Sequence, residues 1–122
     1  KANRGTVEDV DHLKGATRMK IEVSTRGIKS TDAITAHIDK AVTHAVGRFS
    51  DRITRVEVHL GDENSHKPGP HDKRVMIEAR PAGMDPIAVE THGDDLYSVI
   101  TDAAGKLGRA VTKKFEKLAS NH

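Results

Sequence analysis

Four basic side chains near the end of the chain, Lys106, Arg109, Lys113 and Lys117, recur in steps of three, four and four. On a helix that spacing stacks them along one face. A row of cations held in this way can meet a row of phosphates. Lys114 adds a further positive charge beside them. A second set, His37, Lys40, His44 and Arg48, repeats the same steps earlier in the chain. Two such stripes, set side by side, would make one surface for a polyanion. Each stripe alone is also what a solvated helix face looks like, since a base near a helix C-terminus gains about 0.3–1 kcal/mol from the macrodipole. The recurrence at matching spacing is what favours nucleic acid over that plainer reading.

Other chemistries find less in the sequence. There are eight histidines. His66 and His71 fall in a polar stretch with no carboxylate in a fixed frame. His37 and His44 are about two helical turns apart, too far to chelate one ion. No H-E-x-x-H and no zinc-type spacing occurs. There is no G-x-S-x-G turn, no phosphate loop and no dinucleotide fingerprint. The expectation is a protein that is not an enzyme, needs no metal or cofactor, and has no small-molecule substrate.

Composition narrows the class further. The 122 residues fit one domain. The formal net charge is only +2, so an anion site must come from local segregation of charge. The chain has no Cys, which suits a reducing compartment. No apolar run could span a bilayer and no signal-peptide pattern is present, so the expected location is the cytoplasm, away from membranes. The aromatics are Phe49, Tyr97 and Phe115, and all three fit apolar helix faces. Tyr97 is expected in the core beside Leu96 and Ile100, where truncation to Ala would cost about 3–5 kcal/mol. No aromatic is left over as a stacking platform, so binding should read phosphates and shape more than bases.

These side chains need elements to position them. Residues 1–17 have no clean period and read as a flexible extension. A domain is expected over 18–119, with 120–122 as a tail. Residues 19–25 alternate, with Met19, Ile21 and Val23 on one side, as in a half-buried strand. Ser30 or Thr31 can cap a helix running to about Arg48, with Ile34, Ile38, Ala41, Val42, Ala45 and Phe49 as its apolar face. Residues 53–60 alternate again, placing Val56, Val58 and Leu60 inward. Residues 61–72 hold no apolar side chain and read as a long loop. Residues 73–80 form a third strand, with Val75, Ile77 and Ala79 inward. A hairpin turn at 81–85 leads to a short strand with Ile87, Val89 and Thr91 inward. A long helix follows, with Leu96, Ile100, Ala103, Leu107, Val111, Phe115 and Leu118 on its apolar face.

The order is β-α-β-β-β-α. It predicts an α+β two-layer sandwich: a four-stranded mixed sheet with both helices on one face. The open sheet face would carry Lys20, Glu22, Arg55, Glu57, His59, Arg74, Glu78, Arg80 and Glu90, a mixed set that suits solvent.

Segment 19–27, then Thr31, Asp32, Ala33 and Ile34, resembles the opening of the bacterial ribosome hibernation-promoting factors, the ribosome-associated inhibitor family. Asp95, Leu96, Tyr97, Ile100, Asp102, Lys106, Leu107, Arg109, Lys113 and Lys117 match that family's last helix in order and spacing. The resemblance runs from Met19 to about Leu118. It implies a fold similar to double-stranded RNA-binding domains. It implies binding to ribosomal RNA of the small ribosomal subunit, in the channel used by messenger and transfer RNA. The expected role is inhibition of translation under stress or in stationary phase, by a protein that is a monomer off the ribosome. Lys106, Arg109, Lys113 and Lys117 would inherit the RNA contacts most directly, joined by Lys114, His37, Lys40, His44 and Arg48. His44 stands where a Lys is common, Phe115 where a base is common, and Gly47 where a charge is usual. The 61–72 loop is longer than in short members. The chain fits a short form or the first domain of a longer one. The alternative is a protein-interaction module that modulates an alternative sigma factor.

Overall fold

A computed structural model of the chain describes residues 19–62 and 72–120. Its elements are β1 (Lys20–Arg26), α1 (Asp32–Val46), a 3₁₀ turn (Gly47–Phe49), β2 (Ile53–Asp62), β3 (Lys73–Pro81), β4 (Ile87–Gly93) and α2 (Leu96–Ser120). The four strands form one sheet in the order β1-β2-β3-β4. β1 pairs with β2 in parallel, across the α1 crossover. β2–β3 and β3–β4 are antiparallel. The expected α+β sandwich is the observed one, with both helices over one face of a mixed sheet.

Alternation decides which face is covered. Ile21 and Val23 of β1, Val56, Val58 and Leu60 of β2, and Val75, Ile77 and Ala79 of β3 are all buried. Ile87, Val89 and Thr91 of edge strand β4 are half-buried. Against them pack Ile34, Ile38, Val42 and Val46 of α1, and Val99, Ile100, Ala103, Ala104, Leu107, Val111 and Phe115 of α2. Val46, absent from the expected face of α1, is fully buried, while Ala41, Ala45 and Phe49 pack at its margin.

Local chemistry sets the ends. Thr31 Oγ1 accepts from the Ile34 amide at 3.1 Å and starts α1. Asp95 starts α2: its Oδ2 accepts from the Ser98 amide at 3.0 Å and from the Ser98 hydroxyl at 2.8 Å. The β3–β4 turn closes through Gly83 at φ 73°, a conformation that suits glycine. Gly61 and Asp62, expected in the long loop, extend β2 and pair with Arg74 and Lys73. Lys73 Nζ sits 3.1 Å from Asp72 and 3.5 Å from Asp62, tying the two flanks of that loop together. The hydrogen bond to Asp72 is the main reason that the Lys73 ammonium is held above its usual range. The rest of the loop, with His66 and His71, the expected extension 1–17 and the last two residues of the expected tail lie outside the described residues.

The open face is a lattice of opposite charges. Glu57 is 3.0 Å from Arg55 and 3.6 Å from Arg80, and Arg80 is 3.5 Å from Glu78. Arg74 pairs with Glu90 across β3 and β4. This hydrogen bond, ahead of the nearby charges, holds the Glu90 carboxyl below its usual range. The face is neutralised from within, as the mixed set of charges suggested.

The helices touch where Gly108 meets α1. A Cβ built at Gly108 would lie 3.0 Å from the Ala45 carbonyl oxygen and 3.2 Å from the Ala45 Cβ. One turn earlier, a Cβ at Gly105 would meet only the Arg109 side chain, at 3.5 Å. The two glycines therefore respond oppositely to substitution. Gly108→Val should overpack the crossing and cost about 1–3 kcal/mol. Gly105→Ala should gain about 0.5–1 kcal/mol from helix propensity. Urea unfolding of both variants checks the pair of signs.

The Asp95 cap is sensitive to pH. Its bonds from the Ser98 hydroxyl and then the Ser98 amide hold the carboxyl below the usual range, with a smaller contribution from His37. A depressed folded-state value stabilises the fold above the unfolded-state value and is lost as pH falls through the folded one. Asp95→Ala should lower the thermal midpoint at neutral pH, and the deficit should shrink in acid as the native carboxyl protonates. Thermal unfolding across an acid pH series, followed by circular dichroism, tests this.

Candidate nucleic-acid interface

The two helices run in the same direction. His37 of α1 lies beside Thr101 of α2, Ala45 beside Gly108, and Arg48 beside Thr112. Both C-terminal ends therefore point toward one pole of the molecule, with α2 running on to Ser120 past the end of α1. That pole collects His44, Arg48, Lys113, Lys114 and Lys117 against the acids Asp51 and Glu116, while Asp32, Asp94, Asp95 and Asp102 lie toward the other. The local charge segregation that a net charge of +2 requires is present in the helix layer.

Between the helices runs an open groove of about 700 Å³. Its floor is made of small residues: Ala41 and Ala45 from α1, and Ala104, Gly105 and Gly108 from α2. Thr101 and Thr112 line it toward its two ends. His44 from one helix and Arg109 and Lys113 from the other stand at its rim, with Glu116 as the one acid. The floor can be shallow because α2 carries glycine where α1 comes closest. A groove with an apolar base and with Arg109 and Lys113 at its rim has the chemistry to seat a ridge of sugar-phosphate.

The remaining expected residues divide by their partners. His37 and Arg48 bridge the helices. His37 Nε2 donates to the Tyr97 carbonyl oxygen at 3.1 Å and sits 2.9 Å from Thr101 Oγ1. Arg48 Nη2 donates to Thr112 Oγ1 at 2.9 Å. Lys40 and Lys117 are exposed. Lys106 leans away from α1 and donates to the Glu90 carbonyl oxygen of β4 at 3.1 Å. Lys114 turns toward the β3–β4 turn and lines a shallow cleft with Gly83, Met84, Asp85 and Leu118. The expected pair of flat, parallel stripes is therefore folded around a ridge and a groove, with Arg109, Lys113 and His44 converging.

Tyr97 departs from its expected place. It is 40% exposed, not buried in the core, and its ring packs edge-on against His37 at 5.1 Å. Leu96, its neighbour, is the residue that reaches the core margin, while Val99 and Ile100 one turn on are buried. Position 97 lies at the margin of the buried stripe, on the side where α2 meets His37 of α1, so packing and not spacing leaves its ring outside. The large cost expected for truncating Tyr97 does not apply to a ring so exposed. Leu118, also expected inside, is 38% exposed near the end of α2.

Sequence reasoning did not single out the groove floor. The signal was the run of small residues Thr101, Gly105, Gly108 and Thr112, in helical steps on one side of α2. Such a run allows close helix approach. Among the described residues, no three His, Asp or Glu side chains come together to hold a metal ion. No helix among them is long and apolar enough to cross a membrane.

Known proteins share this architecture. The N-terminal domain of Protein Y from Thermus thermophilus superposes with a TM-score of 0.61 at 24% identity, covering 75% of this chain and 92% of that one. A ribosomal subunit interface protein from Coxiella burnetii gives 0.65 at 18% identity, covering 79% of this chain and 97% of that one. At these identities the likeness speaks for the fold. No curated protein matches the sequence. The family model described as Sigma 54 modulation protein / S30EA ribosomal protein matches residues 21–119, nearly the whole described domain, and the chain belongs to that family.

Proposed function

We propose that this protein binds the small ribosomal subunit and holds translation inactive by occupying the channel of messenger and transfer RNA. The observation that carries the reading is the convergence of Arg109, Lys113 and His44 on one groove between the helices. Family membership supports a ribosomal partner. The Coxiella protein of the same fold is named for the ribosomal subunit interface. In this reading the contacts are to phosphates of ribosomal RNA, and the protein acts as a plug in the cytoplasm of stressed or resting cells. It is a monomer off the ribosome, with no catalytic step, metal or cofactor.

The mechanism is steric and electrostatic. Cations on a rigid two-helix layer displace counterions from the RNA, so affinity falls with salt in proportion to the phosphates neutralised. Replacing Lys106, Arg109, Lys113 and Lys117 together by Ala should weaken binding to small subunits. It should also flatten the fall of log affinity with log salt by up to about 0.9 for each phosphate that is no longer neutralised. Co-sedimentation across a salt series measures both, and an unchanged slope at unchanged affinity would sink the RNA reading.

A plug must also compete. Exclusion is reciprocal: whatever the protein does to transfer RNA affinity, transfer RNA does to the protein's affinity. Saturating protein should reduce initiator transfer RNA binding to small subunits, and excess messenger with transfer RNA should release the protein. A stable ternary complex would instead favour a protein-interaction module of the sigma-factor-modulating kind.

A further inference from the structure

At the basic pole four side chains form a continuous stack. Arg48 lies over the Phe49 ring at 4.8 Å, Phe49 packs on Phe115 at 4.9 Å, and Arg52 lies over Phe115 at 3.9 Å. Phe115 is only 6% exposed, so the Arg52 guanidinium forms its outer cover. The Arg52 backbone is pinned on both sides. Its amide donates to the Phe49 carbonyl oxygen at 2.8 Å, and its carbonyl accepts from the Ala82 amide at 2.9 Å. Arg52 is exposed, and among the described residues no carboxylate lies within ion-pair distance of it. A guanidinium over a ring carries its N–H donors at its periphery in a rigid fork, and no side-chain hydrogen bond among the described residues uses those of Arg52. Arg48, by contrast, already spends a donor on Thr112.

We infer that Arg52 is a further RNA contact, a bidentate clamp on one backbone phosphate, with Phe115 as the residue that positions it. The inference rests on the RNA reading above and extends that surface from the helices onto the loop before β2. The stack chooses phosphate over base. The ring of Phe115 lies under Arg52 itself, and the exposed guanidinium is a planar set of donors matched to two phosphate oxygens. Because the fork is already ordered, binding it costs little additional side-chain entropy.

The test uses the full chain and purified small ribosomal subunits. Arg52→Met keeps the apolar cover over Phe115 and removes the charge and the donors. It should leave the thermal midpoint near the native value, weaken binding on the order of tenfold, and reduce the salt slope by about 0.7–0.9, the signature of one phosphate. Arg52→Lys should keep most of the slope yet still bind more weakly, since an ammonium cannot form the fork. Phe115→Leu should weaken binding with no change in slope, because the charge remains but is no longer held. Native affinity and slope for Arg52→Met overturn the contact, and native affinity for Arg52→Lys overturns the bidentate clamp. The Ala replacement of Lys106, Arg109, Lys113 and Lys117, run in parallel, separates the cases. If it loses binding and Arg52→Met does not, only this inference fails. If neither loses binding, the RNA reading itself fails.

Discussion

The close approach of α2 to α1 at Gly108 is the constraint from which the outer surface follows. With a Cβ-to-oxygen distance of only 3.0 Å available at Ala45, any larger side chain would push the helices apart. Their spacing determines whether Arg48 reaches Thr112, whether His37 reaches Thr101, and how shallow the groove floor is. It also lets Phe49 meet Phe115, and so gives Arg52 a ring to lie on. One missing side chain in the middle of α2 thus sets the geometry of both ends of the seam.

Topology supplies the electrostatics. One crossover and two hairpins return the chain so that α2 runs parallel to α1, over the same sheet face. Parallel helices point two C-terminal ends the same way, each with its unsatisfied carbonyls and partial negative charge. Bases in the last turns offset that charge, which gives a structural reason for His44 and Lys117 where they stand. The same residues project a positive surface outward. On the open sheet face the opposite holds: Arg55 and Arg80 are absorbed by Glu57 and Glu78. Fold stability and an anion-binding surface therefore ask for the same residues at this pole, and removing the bases touches both.

How much the sequence reveals depends on whether a signal is periodic or relational. The alternation of Val75, Ile77 and Ala79, and the three-and-four spacing of Ile100, Ala103, Leu107 and Val111, specify which side is buried whatever the partner is. The architecture was legible for that reason. The site was less so. His37 and Arg48 share a stripe with Lys40 and His44, yet α1 ends at Val46, Arg48 sits on the 3₁₀ turn after it, and the packing on α2 makes the first pair bridges and leaves Lys40 in solvent. No periodicity encodes that packing. Leu96 and Tyr97 are both apolar in the first turn of α2, and only packing decides which faces in. Gly61 and Asp62 carry no apolar signal, but the backbone of β3 pairs with them regardless. Arg52 carries no signal in the sequence because its partner Phe115 is far along the chain on another element, a relation that spacing cannot express.

The aromatics also decide what kind of recognition this surface can perform. Phe49 and Phe115 are spent on one another and on two arginines, and Tyr97 sits beside His37 near the acidic end. No ring on the basic pole is free to stack a base, so on the RNA reading sequence discrimination through stacking is closed to it. What remains is the spatial pattern of cations held by a rigid layer. A flexible arm of lysines would suit any polyanion equally. Here Arg109, Lys113 and His44 border a groove of fixed depth, and Arg52 is pinned through both its backbone and its ring contact. Selectivity for one RNA shape over another then has to arise from the mismatch between those fixed positions and the phosphate spacing of a wrong partner. Each unmatched cation would give up its share of counterion release, without any single pairing being specific.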